Sequence, residues 1–202
     1  MTRTSVYPSV LIFGGPGSGK GTQGAIVGQM ANLVHLAMGD IFRGLDKKSD
    51  IGQEFLSYST KGQLVPDELT IRVFHRHVNQ RIERDEIDLG YHTLILDGIP
   101  RTTEQVKLLE DIIEVKRIVY LVMRDKDALV ARLIARAAKS DRPDDADREV
   151  ILNRIEVFER ETAPVLDAYP KKLVARVNAD QPPLAVLRDV AECLIDCISP
   201  RI

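Results

Sequence analysis

The chain has 202 residues, 44% apolar and 29% charged, with a formal net charge of −2. That length and balance suit one soluble globular domain with a substantial core. No apolar run approaches the roughly 18 residues that span a bilayer. No basic excess marks a nucleic-acid or membrane surface as the partner.

The polar start, Met1 to Pro8, has no apolar signal-peptide core, so a cytoplasmic protein is expected. The first apolar run, Val10–Phe13, reads as a strand, with a helical pattern beginning near Lys20. A second strand, Val34–Leu36, is followed by helical pattern alone from Gly39 to Arg84, with starts near Gly39 and Asp67. That stretch is too long for a simple crossover and suits a small helical lobe. Strand Thr93–Leu96 leads to a helix near Thr103, strand Ile118–Val122 to helices near Asp127 and Asp147, and strand Leu173–Val177 to a last helix near Leu184. Alternating apolar strands and helices argue for a parallel sheet covered on both faces. The polar, proline-bearing segment from Ala137 to Asp145 reads as an exposed loop. Cys193 and Cys197, four apart, are expected to be small buried thiols rather than a disulfide. His75 and His77 point in different directions on a helix and read as surface residues, as do Arg148, Arg160 and Arg188.

Directly after the first strand stands Gly14-Gly15-Pro16-Gly17-Ser18-Gly19-Lys20-Gly21-Thr22, which fits G-x-x-x-x-G-K before a helix. Such glycines let successive N–H groups turn inward on phosphate oxygens, and the helix N-terminus adds partial positive charge. Lys20 supplies a full charge toward the β and γ phosphates. Gly21 stands where many ATPases carry a metal-binding hydroxyl; Thr22 is the nearest one.

Further motifs follow in order: His35-Leu36-Ala37-Met38-Gly39-Asp40-Ile41-Phe42-Arg43, Gly62-Gln63-Leu64-Val65-Pro66-Asp67-Glu68, and Leu96-Asp97-Gly98-Ile99-Pro100-Arg101 with Gln105. The match continues through Arg132, Arg136, Arg142-Pro143-Asp144-Asp145, Arg154 and Ala163-Pro164. Together with the phosphate loop, these motifs resemble the adenylate kinases, nucleoside-monophosphate kinases of the short-lid form, over essentially the whole chain.

The resemblance implies an α/β fold of the P-loop NTPase type: a five-stranded parallel sheet in the order 2-3-1-4-5 with helices on both faces. It implies one domain over 1–202, with a nucleotide-monophosphate-binding insert at about 39–68 and a short lid at about 136–146. The implied reaction is reversible, Mg2+-dependent phosphoryl transfer from ATP to AMP, giving ADP from both. Gly15, Pro16, Gly17, Ser18, Gly19, Lys20, Gly21 and Thr22 would bind ATP, with Arg132 against its adenine and Gln181 beside it. Met38, Arg43, Gln63, Leu64, Val65, Gly98, Ile99, Pro100, Arg101 and Gln105 would enclose AMP, Arg43 and Arg101 gripping its phosphate. Arg136, Arg142 and Arg154 would converge on the transferred group, Arg142 and Arg154 also touching AMP. Lys20 and Arg101 complete the catalytic set. Asp97 would hold Mg2+ through water, and Asp144 and Asp145 would help close the lid. The expected partners are nucleotides alone, acting on a monomer. No zinc is expected, because the lid segment has no cysteine.

Three positions depart from the family pattern: Met38 replaces Thr, Ala37 replaces Ser and Ile99 replaces an aromatic residue. Gln105 favours adenine, because an amide can both donate to and accept from its edge. The stretch from Asp145 to Arg154 is one residue longer than usual. A UMP/CMP-type kinase remains the alternative within the class. A GTP-binding switch protein is disfavoured, since neither N-K-x-D nor D-x-x-G occurs.

Overall fold

The computed structural model describes residues 6–30, 32–138, 145 and 147–195. Five strands, β1 (Tyr7–Gly14), β2 (Leu33–Ala37), β3 (Thr93–Asp97), β4 (Ile113–Val122) and β5 (Val174–Asn178), form one sheet in the order β2-β3-β1-β4-β5. Every neighbouring pair is parallel. The class, strand number and order expected from the sequence are those observed.

β1 is central and buried on both faces, which explains its unbroken run Val10-Leu11-Ile12-Phe13. Its side chains alternate between two cores. Leu11 and Phe13 join Leu36, Leu94, Leu96, Phe74 and Leu109 on one face. Val10 and Ile12 join Ile95, Val119, Val27, Val186 and Val190 on the other. Burial of large aliphatic side chains at about 25 cal/mol per Å² is the main force holding helices to such a sheet. β4 begins five residues before the expected strand because its first half, Ile113–Arg117, alternates apolar and charged residues and so breaks the apolar run. A register shift between Ser9 and Val10 lets β1 keep pairing with it.

The helices are α1 (Lys20–Val27), α2 (Met38–Arg43), α3 (Asp50–Ser59), α4 (Asp67–Glu83), α5 (Thr103–Leu109), α6 (Lys126–Ala137), α7 (Arg148–Val157) and α8 (Pro183–Ile195). A π-helical turn, Phe158–Thr162, and two short 3-10 segments lead from α7 to β5. α2, α3 and α4 occupy the helical stretch between β2 and β3. α3 has its own N-cap, the Ser49 hydroxyl accepting from Gly52 N at 3.1 Å, and its own stop at Gly62, where φ is +69°. α5 starts on Thr102, whose hydroxyl accepts from Gln105 N at 3.1 Å. α6 and α7 pack on each other through Leu129, Leu133, Ile151 and Ile155.

Two lesser expectations change. Cys193 is only partly buried, on the rim of the α8 core, and Cys197 lies outside the described residues. His75 and His77 are half-buried rather than on the surface, because His75 packs beside Tyr7 and its Nδ1 lies 3.0 Å from Asn79 Nδ2. Arg148, Arg160 and Arg188 are exposed as expected. No helix among the described residues is long and apolar enough to cross a membrane.

Candidate active site

The register aligns the carboxyl ends of three strands: Ile12 stands beside Asp97, and Asp97 beside Ala37. Beyond that edge the chain must leave the sheet, and each exit carries candidate site residues.

After β1 the loop turns on Gly17 (φ +83°) and Gly19 (φ +98°). At Gly17 a Cβ would meet Leu129 O at 3.0 Å, so the loop is pressed against α6 and only glycine fits. Gly19 caps α1 without a side-chain partner, leaving first-turn N–H groups for an anion. Ser18 is buried and its Oγ has no hydrogen-bond partner. Lys20 Nζ donates to Gly14 O at 2.6 Å and Gly15 O at 3.0 Å, folding back over the loop. Burial lowers its pKa to about 8; Asp97 works in the other direction, and Arg101, Arg154 and Arg136 add to the lowering. The loop thus holds a cation already short of counter-charge. A polyphosphate would supply that charge.

After β3, Asp97 lies with Oδ2 3.8 Å from His35 Nε2, a close contact rather than a formed hydrogen bond. Burial opposes its charge, but His35, Lys20 and Arg101 outweigh burial and hold the carboxyl below its ordinary pKa. Gly21 leaves it room: a Cβ there would lie 3.6 Å from Asp97 Oδ2. One ionised carboxylate beside a phosphate loop fits a hard cation that keeps several waters, such as Mg2+. It does not make a dedicated cage, and among the described residues no group of three or more metal-ligating side chains exists.

The turn after Asp97 positions Arg101. Gly98 takes φ +84°, and a Cβ there would meet Arg101 Nη2 at 2.8 Å. Arg101 Nε donates to Gly98 O at 2.9 Å, and Arg101 N donates to Gln105 Oε1 at 2.7 Å. Gln105 Nε2 donates to Asp67 Oδ1 at 2.8 Å, which also accepts from Thr102 Oγ1 at 2.9 Å. An acid on one side and an N–H on the other fix which way the Gln105 amide points. One lone pair and one N–H remain for a ligand.

A cavity of about 450 Å³ joins these parts. Pro16 and Lys20 line it from the loop, and Arg43, Arg101 and Arg154 bring charge to it. Met38, Gln63, Leu64, Val65, Gly98, Pro100 and Gln105 also face it, with Phe42 and Phe55 stacked at 5.1 Å. Ile99 does not line it; the side chain is buried in the core beneath. Arg43 pairs with Asp40.

Arg136 and Arg154 are brought together by Asp145, which is fully buried: Arg136 Nη2 lies 2.6 Å from its Oδ2, and Arg154 Nη1 binds its Oδ1. Arg132, one turn before Arg136, faces elsewhere, donating to Ala179 O at 3.2 Å and lying 3.3 Å from Met123 Sδ. Gln181 Nε2 donates to Asp189 Oδ2 at 2.5 Å. Neither lines the cavity, nor do the exposed Gly21 and Thr22. Arg142 and Asp144 lie outside the described residues.

Several participants escape sequence reading. His35 sits over Gly24, Asp67 holds Gln105, Thr70 and Thr162 line the cavity, and Asn153 Nδ2 donates to Lys61 O at 2.6 Å. His35 and Asp67 stand inside motifs quoted from the sequence but carry no role there, and Thr70 is tied to Asp67 only by their i,i+3 spacing on one helix.

A family model described as "Adenylate kinase" matches residues 12–174. Among curated relatives, "Adenylate kinase" of Kocuria rhizophila is 37% identical over 175 residues, 84% of this chain and 89% of that protein. "Adenylate kinase" of Bifidobacterium longum is 39% identical over 176 residues, 84% and 90% of the two chains. "Adenylate kinase" of Bacillus subtilis is 34% identical over 219 positions, 92% and 97% of the two. Matched along most of its length, and with a glycine-rich loop and a cavity bearing Arg43, Arg101 and Arg154 meeting at one sheet edge, the chain belongs to the adenylate kinase family.

Proposed function

We propose that this protein transfers the terminal phosphate of ATP to AMP, reversibly, yielding ADP from each. The observation that carries the reading is the junction of the Gly14–Thr22 loop with a cavity bearing Arg43, Arg101, Arg154 and Gln105.

In this reading the loop N–H groups and Lys20 hold the β and γ phosphates, while Arg132 and Gln181 border the adenine of ATP. Arg43 and Arg101 take the AMP phosphate, for which two guanidinium forks suit a dianion. An oxygen of that phosphate attacks the γ phosphorus in line, the bond to the bridging oxygen breaks, and ADP leaves with the electron pair. Charge on the transferred oxygens is met by Lys20, Arg136 and Arg154, with Arg142 joining them. Asp145 keeps Arg136 and Arg154 side by side before substrate arrives, so little reorganisation is left for the reaction. Asp97 would hold Mg2+ through water, and the ion would supply positive charge against the phosphates of ATP.

Water has to be kept out, or ATP would be hydrolysed. We assign that task to the helical insert at about 39–68 and the lid at about 136–146, with Asp144 and Asp145 helping the lid to close. Every residue of this reading comes from one chain, so a monomer in the cytoplasm suffices, and a lid segment without cysteine calls for no zinc.

A coupled assay with Mg-ATP and AMP, CMP, UMP or GMP tests the assignment. AMP is expected to give the highest kcat/KM. Gln105→Ala should raise KM for AMP and narrow the gap to the pyrimidines, since a good bidentate base contact discriminates by roughly 1–3 kcal/mol. A wild-type preference for UMP or CMP refutes the adenine assignment and leaves a pyrimidine monophosphate kinase.

A further inference from the structure

Three buried polar side chains line the cavity: Gln105, Thr162 and Thr70. Gln105 already holds Asp67 and Arg101. Thr162 lies in the π-helical turn after α7, near the arginines. Thr70 is different. It is only 4% exposed and sits in the first turns of α4, and apolar Phe42, Val65 and Met38 line the same cavity.

A threonine inside a helix commonly satisfies its hydroxyl on the carbonyl one turn back. Here the Pro66 carbonyl accepts from Thr70 N at 2.9 Å, and the hydroxyl makes no hydrogen bond within the described protein. The hydroxyl oxygen is not among the sealed polar atoms that lack a partner, so it opens on the cavity, where water reaches it in the free protein and a ligand can take the place of that water. The position therefore makes sense if a ligand completes it. Asp67, which fixes the Gln105 amide, lies three residues earlier on the same helix face, so the Thr70 hydroxyl and the Gln105 amide border one region of the cavity. Met38, fully buried at the start of α2, brings no hydrogen-bonding group of comparable strength to that region.

We propose that Thr70 is a specificity-determining residue of the acceptor site, its hydroxyl hydrogen-bonding the base edge of a 6-aminopurine monophosphate beside Gln105. The proposal rests on the reading of the cavity as the AMP site. A hydroxyl both donates and accepts, so it suits an edge that alternates ring nitrogens with an amino group.

The test compares Thr70→Val, which keeps the shape, with Thr70→Ser, which keeps the hydroxyl. Thr70→Val should raise KM for AMP about tenfold, as loss of one well-placed hydrogen bond to a ligand does, with KM for ATP unchanged. Its melting temperature should stay near that of the wild type, because valine keeps the shape and only a contact with cavity water is lost. Thr70→Ser should bind AMP as the wild type does. Unchanged AMP binding in Thr70→Val overturns the proposal. So does equal weakening by Val and Ser, or a fall in melting temperature with both substrates bound less well; each marks a packing role. The variants are assayed with the best wild-type acceptor, so an error in assigning AMP appears in the wild type alone. An error about Thr70 appears only in the ratios between variants and wild type.

Discussion

Gly62→Ala probes how the helical insert meets the rest of the site. Gly62 closes the turn after α3, with its N–H donating to Ser59 O and Gln63 N donating to Tyr58 O, both at 3.1 Å. This turn presents Lys61 O to Asn153 Nδ2 on α7 and lays Gly62 against Arg154. A Cβ at Gly62 would stand 2.9 Å from Arg154 Cγ and 3.0 Å from Val150 O. The Arg154 stem can shift, but Val150 O belongs to the backbone of α7 and cannot. Alanine in the left-handed region costs about 1–2 kcal/mol, whether or not the turn is seated on α7. Retreat from α7 stretches the Asn153 bond, a further cost of about 1 kcal/mol that falls on the seated state alone. The first term should lower the melting temperature by roughly 2–8 °C for a chain of 202 residues. The second should raise KM for AMP about fivefold, at 1.4 kcal/mol per decade, and leave KM for ATP alone. A thermal melt and steady-state rates with AMP varied at saturating ATP measure both. Asn153→Ala, which loses only the bond, should shift KM for AMP in the same direction without the thermal penalty of the turn. If Gly62→Ala melts early but binds AMP normally, the contact with α7 has no part in acceptor binding and the reasoning fails.

Two further outcomes follow from the loop and its support. Lys20, with a pKa near 8 against an ordinary 10.5, holds fewer protons folded than unfolded between those values, so its contribution makes stability rise with pH across that window. Bound polyphosphate should restore the proton, so ATP binding just above pH 8 should take up protons; calorimetry in buffers of different ionisation enthalpy that finds none contradicts the assigned contact. Gly24→Ala places a methyl 2.4 Å from His35 Nε2 and should cost about 1–3 kcal/mol as an overpacked contact. Adding His35→Ala should recover most of that loss in a double-mutant cycle, and failure to recover it assigns the cost elsewhere.

The sheet was legible because a strand buried on both faces must be apolar throughout, and Val10–Phe13 and Leu94–Leu96 have no other use for such runs. The phosphate loop was legible for a related reason. Its conformation needs positive φ at Gly17 and Gly19, and its chemistry needs one cation at the helix start, so function and local backbone fall on consecutive residues. Arg101 was readable on the same ground, since Gly98, the turn and the guanidinium are four neighbours in sequence. The first half of β4 was not, because charged residues on a half-exposed strand look like a loop.

What stayed hidden in the site is set by contacts between distant segments. Asp67 and Gln105 are 38 residues apart, and Asn153 and Lys61 are 92 apart. Neither pair has a pattern of its own, because an Asp in a first helical turn or an Asn on a helix face is adequately explained by the helix. Met38 shows the consequence. Read along the chain, it is a lost hydrogen bond beside the base and weakens the case for adenine. In three dimensions the same cavity carries Thr70, whose hydroxyl makes no hydrogen bond among the described residues, on the helix whose first residue orients Gln105. A polar contact with a base needs a donor or acceptor at a point in space and is indifferent to the segment that supplies it. A motif records only the segment, so a hydrogen bond moved from the start of α2 to α4 reads as a loss in the first place and as nothing in the second.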